Sequence, residues 1–181
     1  MKKRVFISMI LTVIALAVSR PDSRAFFWAG AAVMLMGQLI RLAASAAIVK
    51  SKTLTTRGPY AVVRNPLYLG TLVMTGGMML AMTSVSKPLL TGLLWAGVGV
   101  SFAWIYRVTI KAEEAFLRAT YGQAFEDYCR AVPAILPCCP GGFFETSAYS
   151  KEVFIKNKEW RGLSGLAAIL VILYLKLHYG Y

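Results

Sequence analysis

The chain has 181 residues, 57% of them hydrophobic and only 15% charged. A soluble domain has about 45–50% apolar and about 25% charged residues, so this composition argues against a soluble globular protein and against disorder, and the length fits one domain. The net charge of +12 is accounted for by basic loops flanking membrane spans, which makes nucleic acid unnecessary as a partner.

Charge-free stretches fall at residues 5–19, 25–40 (with 42–49 beyond Arg41), 65–86, 88–106 and 162–175. A spanning helix needs about 20 apolar residues, or about 17 when flanking Lys and Arg snorkel. The third and fourth stretches, with 22 and 19 residues, meet that on their own. The first stretch also carries signal-peptide grammar, with Lys2-Lys3-Arg4 before it and Ala15-Leu16-Ala17 near its end. An uncleaved helix fits the topology equally well. The short link at 84–88 makes the third and fourth stretches a hairpin, with Pro88 in the first turn of the second helix. The last stretch either spans or lies on the membrane. Its unbroken apolar run over 166–175 favours spanning, with Trp160, Tyr179 and Tyr181 at the interfaces.

Five spans place sixteen basic residues on one side and four on the other. The positive-inside rule then puts the N-terminus in the cytoplasm. The expected architecture is all-α: one domain over 1–181, a polytopic membrane bundle of about five transmembrane helices with a cytoplasmic amphipathic helical cap. The motif core is 41–137, and the C-terminal segment and last helix are 138–181. The expected location is a bacterial inner membrane.

Two segments lie outside the spans. In 49–66, Gly58-Pro59 is turn chemistry and Asn65-Pro66 is a second break that opens the third span. Polar side chains therefore gather at a helix N-terminus, which favours anions. In 107–161, apolar residues at 116, 117, 121, 125 and 128 keep a helical stripe broken by Gly122. The stripe predicts an amphipathic helix pair against the membrane face, ended by Pro133 and Pro137. Acids are unevenly placed: Asp22 is the only one before Glu113-Glu114. The hairpin should bring Glu113 and Glu114 near Arg64, Asn65 and Tyr68. Two readings are open, a site for a cationic ligand and a solvated pair that ends a span.

The run Arg57-Gly58-Pro59-Tyr60, then Val63-Arg64-Asn65-Pro66-Leu67-Tyr68-Leu69-Gly70, resembles the isoprenylcysteine carboxyl methyltransferase family and its phospholipid methyltransferase relatives. Their pattern is a Gly-Pro-Tyr, a short gap, Arg-His-Pro-x-Tyr-x-Gly, a helical hairpin, Glu-Glu, an aromatic-Gly and a later Tyr before a proline. Here the later members are Glu113-Glu114, Tyr121-Gly122, Tyr128 and Pro133. Asn65 stands where the family usually has His; it hydrogen-bonds but cannot titrate near neutrality. The resemblance implies S-adenosylmethionine as cofactor, held by Tyr60, Arg64, Asn65, Tyr68, Gly70, Glu113 and Glu114. It also implies methyl transfer to a lipophilic acceptor (an isoprenylcysteine-type carboxylate, a phospholipid amine or similar). A carboxylate can pair the cofactor's ammonium, Arg64 and the helix start its carboxylate, and Tyr60 or Tyr68 its adenine or sulfonium. No strand with a Gly-x-Gly-x-x-Gly turn offers a soluble nucleotide-binding alternative. No residue stands out as a general base.

The rivals are an NADPH-dependent membrane reductase of the sterol-reductase type, which shares the Arg-His-Pro-x-Tyr-x-Gly stretch, and a non-catalytic membrane scaffold. The glutamate pair argues for a cationic cofactor over NADPH. Arg41 interrupts the second stretch, where it either meets an acceptor's anionic group or snorkels. Cys129, Cys138 and Cys139 form no disulfide framework, and with a single His, His178, no metal site is expected. Gly76, Gly77, Gly92, Gly97 and Gly99 are expected at close helix contacts. Partners are membrane lipids and a lipophilic substrate; the oligomeric state is open.

Overall fold

The computed structural model describes residues 2–48, 53–137 and 145–180. The expectation for Cys138 and Cys139 falls outside these residues, as do Lys50, Lys52 and Tyr181. The described chain is all-helical: α1 Lys2–Val18, α2 Arg24–Ala47, α3 Pro59–Val62, α4 Pro66–Ala81, α5 Pro88–Tyr121, α6 Gln123–Ala131, α7 Lys151–Asn157 and α8 Gly162–Tyr179. Short 3₁₀ turns lie at Thr146–Ala148 and Glu159–Arg161. Among the described residues, three helical segments are long and apolar enough to cross a membrane: Arg24–Ala47, Pro88–Tyr121 and Glu159–Tyr179. Two shorter apolar helices, Phe6–Val18 and Pro66–Ala81, accompany them. Large apolar side chains such as Leu39, Leu93, Val100 and Trp104 are exposed, as suits helices whose solvent is lipid. The molecule is an integral membrane helix bundle.

Two expected boundaries move. The third stretch was expected to span on its own, yet α4 has only 16 residues and reaches about 24 Å, against a hydrocarbon core of about 30 Å. The loop that follows α4 is held by Asp22. Its carboxylate accepts hydrogen bonds from the Ser84 hydroxyl at 2.7 Å and from the Val85 and Ser86 N–H groups at 2.8 Å each. Those bonds turn the residues after α4 into a capped loop. The Thr91 hydroxyl closes the same turn, accepting from Ser84 N and donating to Ser84 O. The other boundary is the far end of the fourth stretch. The helix does not stop near Tyr106 but continues as α5 for 34 residues. The first member of the expected amphipathic pair is therefore the end of α5, and Glu113-Glu114 lie on a continuous helix. The break comes at Gly122, whose φ of 51° is a left-handed value that L side chains rarely adopt. The amphipathic α6 follows, with Phe125 and Tyr128 buried.

The chain divides into two compact units, residues 1–36, 72–107 and 163–181, and residues 37–71 and 108–162. In the first unit Phe27, Met34, Met78, Met82, Phe102 and Leu173 lead the core. There α2 and α4 are in backbone contact. A Cβ on Gly30 would lie 2.5 Å from Gly77 O, and one on Gly77 would lie 2.6 Å from Met34 N. Small residues at such crossings are the usual means of close packing in lipid. The expectation for the other glycines is corrected: among the described residues a Cβ on Gly76, Gly92 or Gly97 would meet nothing within 4 Å, and one on Gly99 only Met79 Cε at 3.9 Å. At the end of α8, the Lys176 ammonium donates to Leu16 O and Ala17 O at 2.7 and 2.9 Å, satisfying carbonyls left open at the end of α1.

In the second unit a small core forms from Ala44, Ala47 and Tyr60, flanked by Ile48, Leu67 and Tyr149. The segment from Glu145 to Arg161 lies along the last turns of α2. Ser150 N donates to Ala46 O at 2.9 Å, and the Asn157 amide donates to Ser45 O and Ile48 O at 2.8 and 3.1 Å. These bonds satisfy C-terminal carbonyls of α2 that have no partner within the helix.

Candidate functional site

The candidate residues all lie in the second unit. Gly58 takes φ 61° before Pro59, and this turn delivers Tyr60 into the core. The chain then extends through Val63, at φ −144° and ψ 144°, and passes alongside residues 132–134. Arg64 N donates to Pro133 O at 2.8 Å and Asn65 N to Ala134 O at 3.1 Å. The Asn65 side-chain amide donates to the same Ala134 carbonyl at 3.1 Å. Asn65 thus acts here as a backbone tie, a task that needs a donor and no titration.

Arg64 is the hub. Its Nε and Nη2 donate to Glu114 Oε1 at 3.2 and 2.7 Å, and its Nη1 donates to Cys129 O and Val132 O at 3.1 and 2.6 Å. One guanidinium therefore joins the start of α4, the side of α5 and the C-terminal carbonyls of α6. The ion pair is largely shielded, with the two side chains 13% and 19% exposed. Four of the five guanidinium N–H groups are thereby used, and Glu114 is committed to the arginine.

Glu113, one residue earlier, is exposed. Its Oε2 accepts a 2.7 Å hydrogen bond from the Tyr68 hydroxyl. The two adjacent carboxylates thus have different situations, one shielded and ion-paired, the other open with a phenol beside it.

Tyr60 is 6% exposed, and among the described residues its hydroxyl has no hydrogen-bond partner. Burial pushes its phenol well above the usual tyrosine range, with Tyr128, Glu113 and Glu159 adding to the rise. Tyr128 donates to the Tyr60 carbonyl at 2.6 Å, and burial raises its phenol as well, against the opposing pull of Arg64. Both phenols therefore remain protonated at neutral pH, Tyr128 as the donor to that carbonyl and Tyr60 with its O–H unused among the described residues. Burial likewise raises the Cys129 thiol, which keeps it from thiolate chemistry.

Gly70 lies at a different contact. A Cβ there would meet Arg41 Cγ at 2.6 Å and Gly37 O at 2.7 Å, so the group that approaches this glycine is α2. The structure brings together Tyr68 with Glu113 and Arg64 with Glu114, sets Asn65 on the Ala134 carbonyl, and places Gly70 on the α2 side.

Arg41 does not stand free. It pairs with Glu159 and donates to the Thr71 hydroxyl and, at 3.3 Å, to Leu67 O. The Gln38 amide donates to Glu159 O at 3.4 Å, while Gln38 Oε1 is buried without a partner among the described residues. Sequence reasoning missed this cluster because Glu159 is 118 positions from Arg41. The only available signal was a charge inside an apolar stretch.

The sequence pattern of the phospholipid methyltransferase family matches residues 25–124. That is more than half of the chain, and the chain belongs to this family. Among curated relatives it is 29% identical over 143 residues to the nickel-cobalt-cadmium resistance protein NccN of Alcaligenes xylosoxydans xylosoxydans, covering 74% of this chain and 62% of that one. It is 32% identical over 88 residues to the cobalt-zinc-cadmium resistance protein CzcN of Cupriavidus metallidurans, covering 49% of this chain and 37% of that one. It is 34% identical over 92 residues to the protein-S-isoprenylcysteine O-methyltransferase of Schizosaccharomyces pombe, covering 50% of this chain and 36% of that one. The matched regions therefore span less than two thirds of each of these relatives. No solved structure matches the chain significantly. Among the described residues no group of three or more His, Cys, Asp or Glu side chains is placed to hold a metal ion.

Proposed function

We propose that the chain is an S-adenosylmethionine-dependent methyltransferase acting on a lipophilic acceptor at the cytoplasmic face of its membrane. The observation that carries this reading is the division between Glu113 and Glu114. Arg64 neutralises Glu114 and fixes it as part of the scaffold, which leaves Glu113 open beside the Tyr68 phenol. An exposed carboxylate flanked by an aromatic ring suits the ammonium of an amino-acid-like cofactor.

Tyr60 supports the fit. A buried hydroxyl without a partner costs stability unless something satisfies it, and this one responds electrostatically to Glu113. A polar atom of the cofactor is suited to meet it. Arg64 keeps one N–H at most for the cofactor's carboxylate, so its main task and that of Asn65 is to position the segment that carries Tyr60 and Tyr68. Gly70 contributes by letting α4 approach α2.

S-adenosylmethionine supplies a methyl group on a sulfonium, a good leaving group. What the chain must supply is alignment and exclusion of water. Asn65 does not titrate, and the Tyr60 and Tyr128 phenols stay protonated. An acceptor that is already nucleophilic, such as a carboxylate or a neutral amine, therefore matches the site. The division of sixteen basic residues against four supports a cytoplasmic site through the positive-inside rule.

The test is methyl transfer from labelled cofactor to fractionated membrane lipids by the detergent-purified chain, with calorimetry of S-adenosylhomocysteine and NADPH alongside. Label in a lipid fraction and binding of S-adenosylhomocysteine are expected. NADPH binding in its place would support a reductase, and binding of neither would support a scaffold; each overturns the proposal.

A further inference from the structure

Arg24, Trp28, Tyr174, Leu177 and His178 line a cavity of about 400 Å³ in the first unit. It lies between the first turn of α2 and the last turns of α8, and none of its residues enters the site described above. Its volume falls in the range of small-molecule sites, about 300–1,000 Å³.

The lining has the chemistry of an anion held beside a hydrocarbon. Arg24 and His178 form no ion pair among the described residues. Asp22 is the unit's only acid, and its carboxylate is taken by Ser84, Val85 and Ser86. Lys176 is occupied by the carbonyls of Leu16 and Ala17. Among the described residues of the unit, the charge of Arg24 therefore has no acidic partner. The aromatic walls are ordered against one another. Tyr174 stacks on His178 with centroids 6.2 Å apart and 8° between planes, and Phe27 packs edge-on to Trp28 at 5.1 Å. Trp28 is 63% exposed, and it continues the pocket onto the lipid-facing surface.

We propose that this cavity binds the phosphate of an anionic phospholipid through Arg24 and His178, with an acyl chain lying along Trp28 and Leu177. Arginine offers paired donors to phosphate oxygens. Tryptophan and tyrosine suit the boundary between headgroup and hydrocarbon. A water-soluble anion would use Arg24 and His178 and leave the apolar wall without a role.

Native mass spectrometry of the full chain, titrated with phosphatidylglycerol or phosphatidylcholine, tests this. One phosphatidylglycerol retained per chain is expected, with phosphatidylcholine retained at least about tenfold more weakly. Arg24→Gln should weaken phosphatidylglycerol about tenfold, and Arg24→Lys should restore only part of it. Unfolding in detergent alone should match the wild type. His178→Gln, with the same expected direction, serves if Arg24→Gln does not fold. Equal retention of the two lipids, or unchanged binding in both variants, overturns the proposal. Displacement of the lipid by millimolar inorganic phosphate identifies a small-anion site and overturns it too.

Discussion

Two acidic positions show how differently the units use a carboxylate. Asp22 in the first unit accepts from one hydroxyl and two backbone N–H groups, and its work is finished when the turn after α4 forms. Glu113 in the second unit has a single phenol donor and remains exposed. The same contrast holds for buried polar atoms. Among the described residues the two without a partner, Tyr60 Oη and Gln38 Oε1, both belong to the second unit. Among the described residues, folding satisfies the buried side-chain polar atoms of the first unit, whereas the second keeps two that no described residue meets. That difference supports placing the proposed cofactor site in the second unit.

The comparison breaks most visibly where backbone meets backbone. Gly77→Leu in the first unit should cost about 3 kcal/mol or more, because the added side chain drives into Met34 N and Gly30 O with nothing able to give way. Gly97→Ala, which adds a methyl group to open space, should stay within about 0.5 kcal/mol. Thermal unfolding in one detergent measures both. Next in size is the arginine hub. Arg64→Ala strands Glu114 and two carbonyls and should cost about 2–3 kcal/mol. Arg64→Lys should recover little, since a single ammonium cannot reach all three acceptors.

Asp22→Asn is smaller, about 1 kcal/mol, because water competes at this exposed carboxylate. It carries a pH signature. Desolvation opposes ionisation, yet the hydrogen bonds from Ser86, Ser84 and Val85 outweigh it and hold the carboxyl well below the usual range. Its stabilisation is then complete above the unfolded value, about pH 4, and fades as pH falls through the lower folded value. The gap between wild type and Asp22→Asn should be flat at neutral pH and should close only in acid. A gap that changes between pH 6 and 8 would contradict that assignment.

The same physics explains what could be read in advance. Apolar runs and their flanking charges are local signals, so the helices, the hairpin with its Pro88 start and the approach of Arg64 and Tyr68 to the glutamates were legible. Family resemblance added the cofactor expectation, which composition could not. What was not legible is how Asp22 holds the link after α4, because it reaches residues 62 to 64 positions away. Nor was the Arg41–Glu159 pair, or which glycines touch backbone, since a glycine's neighbours are set by helix rotation rather than by its spacing. The different situations of Glu113 and Glu114 were also hidden. Adjacent residues on a helix point about 100° apart, and only the placement of Arg64 decides which of them is occupied.

The central claim is that Glu113 is a ligand carboxylate and Glu114 a structural one. Calorimetry of S-adenosylhomocysteine against wild type and Glu113→Gln, with unfolding measured on the same samples, tests it most directly. Glu113→Gln should unfold within about 0.5 kcal/mol of the wild type while binding falls at least about tenfold, the loss of one charge-assisted contact. A Glu113→Gln protein that binds S-adenosylhomocysteine as tightly as the wild type would contradict the account.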